Sequence, residues 1–440
     1  MRKLPKHILK LSWIVPIIFI IVGSIGVILY GRGYRPDLKQ NNLKSTGLLS
    51  ATSDPIGSQV FINGELKTAT NNTLNLDPGW YMIKIIKEGY IPWEKKIRIQ
   101  GEVVANTDPF LFPANPSLSP LTNSGVEQPI LSPDGTKIAY IIPVSDNITA
   151  KKSGLWVYEL VERPLGFNRD PRQLGTTLPE FNFSKSTLSW SPDSMEIMVD
   201  NGTYIRLYQT NKTEDFQDVS LSYQTILKDW EDMRLTKEKQ KLATYKKELA
   251  DAVSNSAKIL SFSPDETKML YEATASATLP QVIKPPLIGT NSVQEQRTIT
   301  PGKLYVYDSH EDKNYWVLDK SELISPKTSP QPTAKSKIIT PNLEMPCRPA
   351  ASAEDNCKQG TANFELANVH WFPTSNHLVL TLEGKIDIMD FDRTNWITVY
   401  SGPFVGDFIA PWPNGSRIII MTNLNSKVST LPNLYTVNLR

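Results

Sequence analysis

Short apolar runs, each introduced by a proline-centred polar turn, recur along most of the chain. Residues 131–140 set the form, with an apolar residue, then Ser132, Pro133, Asp134 and Gly135, then polar positions, then an apolar strand. Residues 190–199 repeat it around Ser191, Pro192 and Asp193, and residues 262–271 around Ser263, Pro264 and Asp265. Weaker copies lie at 371–380, around Pro373, and at 411–420, around Pro413 and Asn414. Proline sets φ for the second position of a turn, and Asp, Asn and Gly tolerate the backbone angles of the later positions. Each copy therefore predicts two strands joined as a hairpin. A further β-branched or aromatic segment trails each copy, at 154–160, 202–208, 302–308, 384–390 and 433–439. A hairpin plus a third strand, in ordered repetition, predicts the blades of a β-propeller rather than a sandwich.

Residues 116–122 read as a lone strand before the first repeat, and the last repeat ends at Arg440 without an outer strand. A ring must pair its first and last strands or leave an edge exposed. Residues 118–122 are therefore expected to complete the last of five blades, with a sixth blade hidden in the insertions as the alternative. The propeller is expected over 114–440.

Other patterns interrupt or precede the repeats. At 225–256 the apolar residues Leu235, Leu242, Tyr245, Leu249 and Val253 recur at helical spacing with Lys and Glu between them, predicting a helical insertion. It reads as an arm packed on the propeller rim or as a partner-binding helix. Residues 273–300 look like a long ordered loop. Residues 325–363 are rich in Pro, Ser and Thr and hold both cysteines, Cys347 and Cys357. Before the repeats, alternating segments at 47–52, 59–63, 73–76 and 80–86, with more at 93–104, predict a small β-sandwich over 46–113. Asn63 and Gly64 form a strong two-residue hairpin signal.

Residues 11–30 are almost wholly apolar and uncharged, long enough for a helix to span a bilayer. The small residues Gly23, Ser24 and Gly26 lie inside the run and bulky residues come after them, which favours an uncleaved anchor over a cleaved signal. Residues 1–10 carry Arg2, Lys3, Lys6 and Lys10, the denser charge cluster, and predict a cytoplasmic tail with the bulk of the chain outside. Residues 31–45 read as a polar linker. The localisation expected is a single-pass cell membrane protein.

Residues 46–113 resemble the PEGA domain, a small β-sandwich often found next to membrane anchors on prokaryotic surface proteins. Val60, Asn63, Gly64, Pro78, Gly79, Tyr81, Gly89 and Tyr90 carry the resemblance. The tetrapeptide that names the family has departed, with Asp54, Pro55, Ile56 and Gly57 in its place. The repeats resemble the WD40-like propellers of the TolB type, in which Ser-Pro-Asp-Gly marks each blade. Only Ser132, Pro133, Asp134 and Gly135 are complete here.

Composition narrows the function. With 47 basic and 45 acidic residues, no basic surface points to nucleic acid. No nucleophile elbow, phosphate loop or dinucleotide fingerprint is present, so no catalytic residue and no cofactor is assigned. His370 and His377 are weak candidates for a metal. Asp387, Asp390 and Asp392 read as a solvated edge rather than a calcium loop. Cys347 and Cys357 either close a short loop as a disulfide, which suits an exported chain, or stay free. Trp80, Tyr90 and Trp93 cluster in the small domain and are the candidate binding aromatics. The function expected is a non-enzymatic, membrane-anchored protein whose propeller recognises a cell-envelope glycan or a surface protein. The alternative is a scaffold or sensor subunit of a membrane complex. A propeller enzyme acting on envelope glycans is the third reading.

Overall fold

The computed structural model describes residues 6–31, 34–37, 42–145, 149, 151–161, 170–323, 369–405, 408–424 and 431–440. Helix α1 runs Lys6–Gly31. Its side chains are described from Pro16 on, and Phe19, Ile20 and Val27 are exposed. Among the described residues no helix is long and apolar enough to cross a membrane. The spanning segment expected over 11–30 is therefore not carried by the described side chains. The expected linker also holds structure, because β1 (Tyr34–Asp37) pairs antiparallel with β2 (Asn42–Ser45).

The small domain is a sandwich of seven strands. These are β3 (Gly47–Ala51), β4 (Gln59–Ile62), β5 (Glu65–Ala69), β6 (Asn72–Leu76), β7 (Gly79–Ile86), β8 (Trp93–Ile99) and β9 (Val104–Thr107). One sheet runs β6-β3-β9, with β3 and β9 parallel, and the other runs β5-β4-β7-β8. Alternation decides the faces. Leu49, Ala51, Val60, Ile62, Ile83, Ile85, Ile97 and Ile99 point between the sheets and are buried. Asn63 (φ 50°) and Gly64 (φ 85°) turn β4 into β5 with the two positive φ angles such a tight hairpin requires.

The remaining strands form five four-stranded antiparallel sheets and one two-stranded ribbon. The first sheet holds Glu127–Leu131, Lys137–Ile142, Gly154–Glu159 and Arg172–Thr176, and the second Thr187–Trp190, Glu196–Asp200, Ile205–Gln209 and Phe216–Asp218. The third holds Ala257–Phe262, Lys268–Ala273, Lys303–Asp308 and Lys313–Asp319, and the fourth Val369–Trp371, His377–Leu382, Lys385–Asp390 and Ile397–Ser401. The fifth holds Ile409–Pro411, Arg417–Thr422 and Asn433–Asn438. Its fourth strand is Leu118–Pro120, where Leu118 faces Val437 and Pro120 faces Tyr435. The strand expected to complete the last repeat does so.

Three of the five turns share one side-chain hydrogen-bond scheme. Ser132 Oγ donates to Asp134 Oδ1 at 2.5 Å and accepts the Lys137 amide at 2.9 Å, while Asp134 Oδ1 accepts the Thr136 amide at 3.0 Å. Ser191 with Asp193, and Ser263 with Asp265, repeat this at 2.6 Å each. The residue after each Asp takes a positive φ, at Gly135, Ser194 and Glu266. Burial works against ionisation of Asp134, Asp193 and Asp265, but the Ser hydroxyl and the amide two residues on outweigh it and hold all three carboxyls low. In the fifth turn Asn414 stands in for Asp and accepts the Ser416 amide at 2.8 Å. Neighbouring turns touch. The Asp134 amide donates to Ser194 Oγ and the Asp265 amide to Ser375 Oγ, both at 3.1 Å. These residues build the turns.

Apolar clusters join the sheets in sequence. The first packs on the second through Ile141, Val157 and Val199, and the third on the fourth through Val306, Leu318 and Leu378. The fourth packs on the fifth through Ile388, Ile418 and Val437, and the fifth on the first through Ile419, Trp412 and Tyr140. Between the second and third sheets lie two helices, α2 (Tyr223–Leu242) and α3 (Lys247–Ser256). Trp230 of α2 packs with Met198 and Leu207 of the second sheet. Leu249 and Val253 of α3, with Tyr245 before it, pack with Met269, Tyr271 and Tyr307 of the third. The helical insertion thus packs against the second sheet through α2 and against the third through α3. Leu235 and Leu242, at the same helical spacing, are only partly buried.

Candidate functional site

The small domain is joined to the five-sheet body along β8. This strand lies at the edge of its sheet, so its outward amides need partners or water. The Glu94 amide donates to Asn395 Oδ1 at 3.0 Å, and the Arg98 amide to Ser292 Oγ at 2.9 Å. On the face toward the body, Trp93 is buried and its indole N–H reaches Asp390 Oδ2 at 3.3 Å. Lys95 pairs with Asp392, whose side chain is wholly buried. Asp392 also accepts Asn291 Nδ2 at 2.5 Å and Thr394 Oγ1 at 2.6 Å. Burial pushes this carboxyl up, but Lys95 and these donors outweigh it and hold the carboxyl below its usual range. The long segment between the third sheet's strands, which carries Ser292, adds one more tie, the Gly289 amide to Gln100 Oε1 at 2.8 Å. Phe110 and Phe112 come after β9 and pack edge-on against Phe372, at 5.5 and 5.6 Å between ring centres.

Asp387, Asp390 and Asp392 are therefore not a solvated edge. Their exposures are 0%, 8% and 3%. Asp387 accepts Trp396 Nε1, Thr398 Oγ1 and Lys385 Nζ, each at 2.7 Å, and Asp390 accepts Asn395 Nδ2 at 2.9 Å. Buried carboxylates persist because donors saturate them. Among the described residues no cluster of His, Cys, Asp and Glu is arranged to hold a metal ion. His377 instead sits inside this network. Its Nδ1 meets Thr374 Oγ1 at 2.7 Å and its Nε2 lies 3.4 Å from Asp390. His370 is partly buried in the short strand Val369–Trp371.

Burial lowers the pKa of His377 and Lys95 adds to this, although Asp390 and Asp392 pull the other way. A depressed folded pKa means that the unfolded chain binds more protons, so stability falls as pH drops from the ordinary histidine value of 6.5 toward the folded value. His377→Gln is expected to flatten that slope, checked by denaturant midpoints across the range.

The outer face of the β7–β8 sheet carries the exposed side chains. Trp80 is 51% exposed and Met82 40%. Directly opposite them stand Arg98 and Lys96. The Lys96 ammonium lies 5.3 Å from the centre of the Trp80 ring. Met82 exchanges hydrogen bonds with Asn63, so its pair with Lys96 is not hydrogen-bonded and the Lys96 peptide group points out of the sheet edge. Asn395 and Ser292 cap the amides on either side, and among the described residues nothing caps Lys96. A groove of about 480 Å³ opens here, lined by Trp80, Met82, Lys96, Ser292, Val293 and Thr394, with Glu94 and Lys95 completing it.

The three aromatics expected to bind ligand thus part company. Trp80 faces the groove, Trp93 is a buried tie to Asp390, and Tyr90 packs partly buried against the small-domain core. Cys347 and Cys357 lie outside the described residues.

Residues 46–109 match the PEGA domain family, which defines that segment rather than the whole chain. No curated protein matches the chain. Solved structures similar at low identity include the following three. A TolB of Agrobacterium tumefaciens is 12% identical over 69% of this chain and 71% of that one, with a TM-score of 0.19. TolB of Acinetobacter baumannii is 11% identical over 79% and 55%, with a TM-score of 0.20. A structure described as the eukaryotic initiation factor is 10% identical over 86% and 69%, with a TM-score of 0.18. At such TM-scores the likeness carries no argument about function.

Proposed function

We propose that this chain is a non-enzymatic, membrane-anchored, extracytoplasmic protein that binds a cell-envelope glycan in the groove beside Trp80. In this reading the five sheets are the blades of one propeller, and α2 and α3 fill the place between the second and third. The touching turns, the sheet-to-sheet clusters and the pairing of Leu118–Pro120 with the last strand support the ring. Anchoring rests on the uncharged apolar run at residues 11–30 of the sequence.

The observation that carries the binding reading is Trp80. Trp80 and Met82, 51% and 40% exposed, form one apolar strip beside the open Lys96 peptide group, on a sheet tied to the body through β8. A flat aromatic suits the apolar face of a sugar ring.

The test is co-sedimentation of the full chain, in mild detergent, with envelopes stripped of protein. Binding is expected to survive stripping and to weaken about tenfold in Trp80→Ala, the size of one lost aromatic contact with its buried area. Binding abolished by stripping would move the ligand to a protein and end the glycan reading.

A further inference from the structure

We propose that the glycan held at this groove is anionic, recognised through its carboxylates or phosphates by Lys96 and Arg98; this rests on the glycan reading above. The charges around the groove support it. Lys84 pairs with Glu94 at 3.5 Å, and Lys95 is committed to buried Asp392. Lys96 and Arg98 have no anionic partner among the described residues, and both are exposed. They stand side by side on the outer face, each directly across from an apolar groove residue, Met82 for Lys96 and Trp80 for Arg98.

The surface therefore offers an apolar platform with two cations that lack an anionic partner among the described residues, Lys96 lying over the Trp80 ring. The one carboxylate in the groove, Glu94, is already balanced by Lys84. A neutral polysaccharide would use the platform and leave the cations idle. A polymer with acidic groups along its length would use both, because Arg and Lys form charge-assisted hydrogen bonds to such groups. The small domain presents this strip on an edge strand fixed at Glu94 and Arg98, so the two cations are held in register rather than carried on a loose loop.

The experiment compares three surfaces with the full chain in mild detergent. These are protein-stripped envelopes, the same envelopes after their carboxylates are amidated and their phosphates removed, and phosphatidylglycerol vesicles. The variants are Trp80→Ala and the pair Lys96→Gln with Arg98→Gln, both on exposed positions where folding is checked by an unchanged denaturant midpoint. The expected result is binding to untreated stripped envelopes that falls about tenfold or more in the double variant and after acid-group removal, and that weakens with salt. If the double variant and the acid-free envelopes bind within about twofold of the controls, while Trp80→Ala still weakens binding, the glycan reading stands and its anionic character is overturned. If the wild-type chain binds none of the stripped envelopes, the reading itself fails and this inference with it. If it binds only the vesicles, with the same residues required, the surface faces lipid and the inference is wrong.

Discussion

Lys95→Ala is expected to cost about 3–5 kcal/mol, because it strands a buried carboxylate. Asp392 lies at 3% exposure and keeps its neutral donors in the variant, but loses its only cation among the described residues. The pH dependence identifies the cause. In the wild type Asp392 is held below its ordinary value, so its contribution is present above that value and is lost as pH falls through the lower folded one. Without Lys95, burial dominates and the carboxyl rises. The deficit is then largest near about pH 7 and narrows toward about pH 4, where protonation removes the unpaired charge. Denaturant midpoints at the two pH values check this. A matched Lys95→Met and Asp392→Asn pair is expected to recover most of the loss, since removing both charges leaves none stranded.

Trp412→Ala is expected to cost a similar amount, about 3–5 kcal/mol, by opening a cavity. Trp412 is fully buried in the fifth turn and packs with residues of the first and fifth sheets, with Tyr158 6.1 Å away ring to ring. The contact is where the last sheet meets the first, so a cavity there weakens the closure of the whole arrangement. The thermal midpoint should fall by about 4–8 °C. Trp412→Phe should cost far less, because the buried indole N–H has no hydrogen-bond partner to lose. Differential scanning calorimetry of both variants checks the pair.

Local periodicity made much of this architecture legible. Proline turns leading into apolar strands marked five hairpins, and the last repeat's want of an outer strand pointed to residues 118–122, of which Leu118–Pro120 completes the last sheet. The helical spacing of Tyr245, Leu249 and Val253 marked the faces that pack on the third sheet. What escaped were contacts between distant parts of the chain. Asp387, Asp390 and Asp392 alternate only imperfectly along and just after their strand and read as a solvated edge, and nothing near them shows that Lys95 and Trp93 arrive from 297 residues away. A signal was present in β8. Trp93, Lys95, Ile97 and Ile99 share one parity, and a lysine on an apolar face calls for a buried anion. Parity likewise separates Trp80, which shares the outward face with Met82, from Ile83 and Ile85 inside. Tyr90 lies between strands, where parity offers no guide.

The most direct test of the binding account is amide hydrogen exchange of the full chain with and without sonicated fragments of protein-stripped envelope. Glu94 and Arg98 amides are already capped by Asn395 and Ser292, so their protection should change little. New protection is predicted, centred on the Lys96 amide and on the Trp80 and Met82 segment facing it. Protection confined to α2 and α3, or no change along β7 and β8, would contradict binding at this groove and place the ligand elsewhere on the molecule.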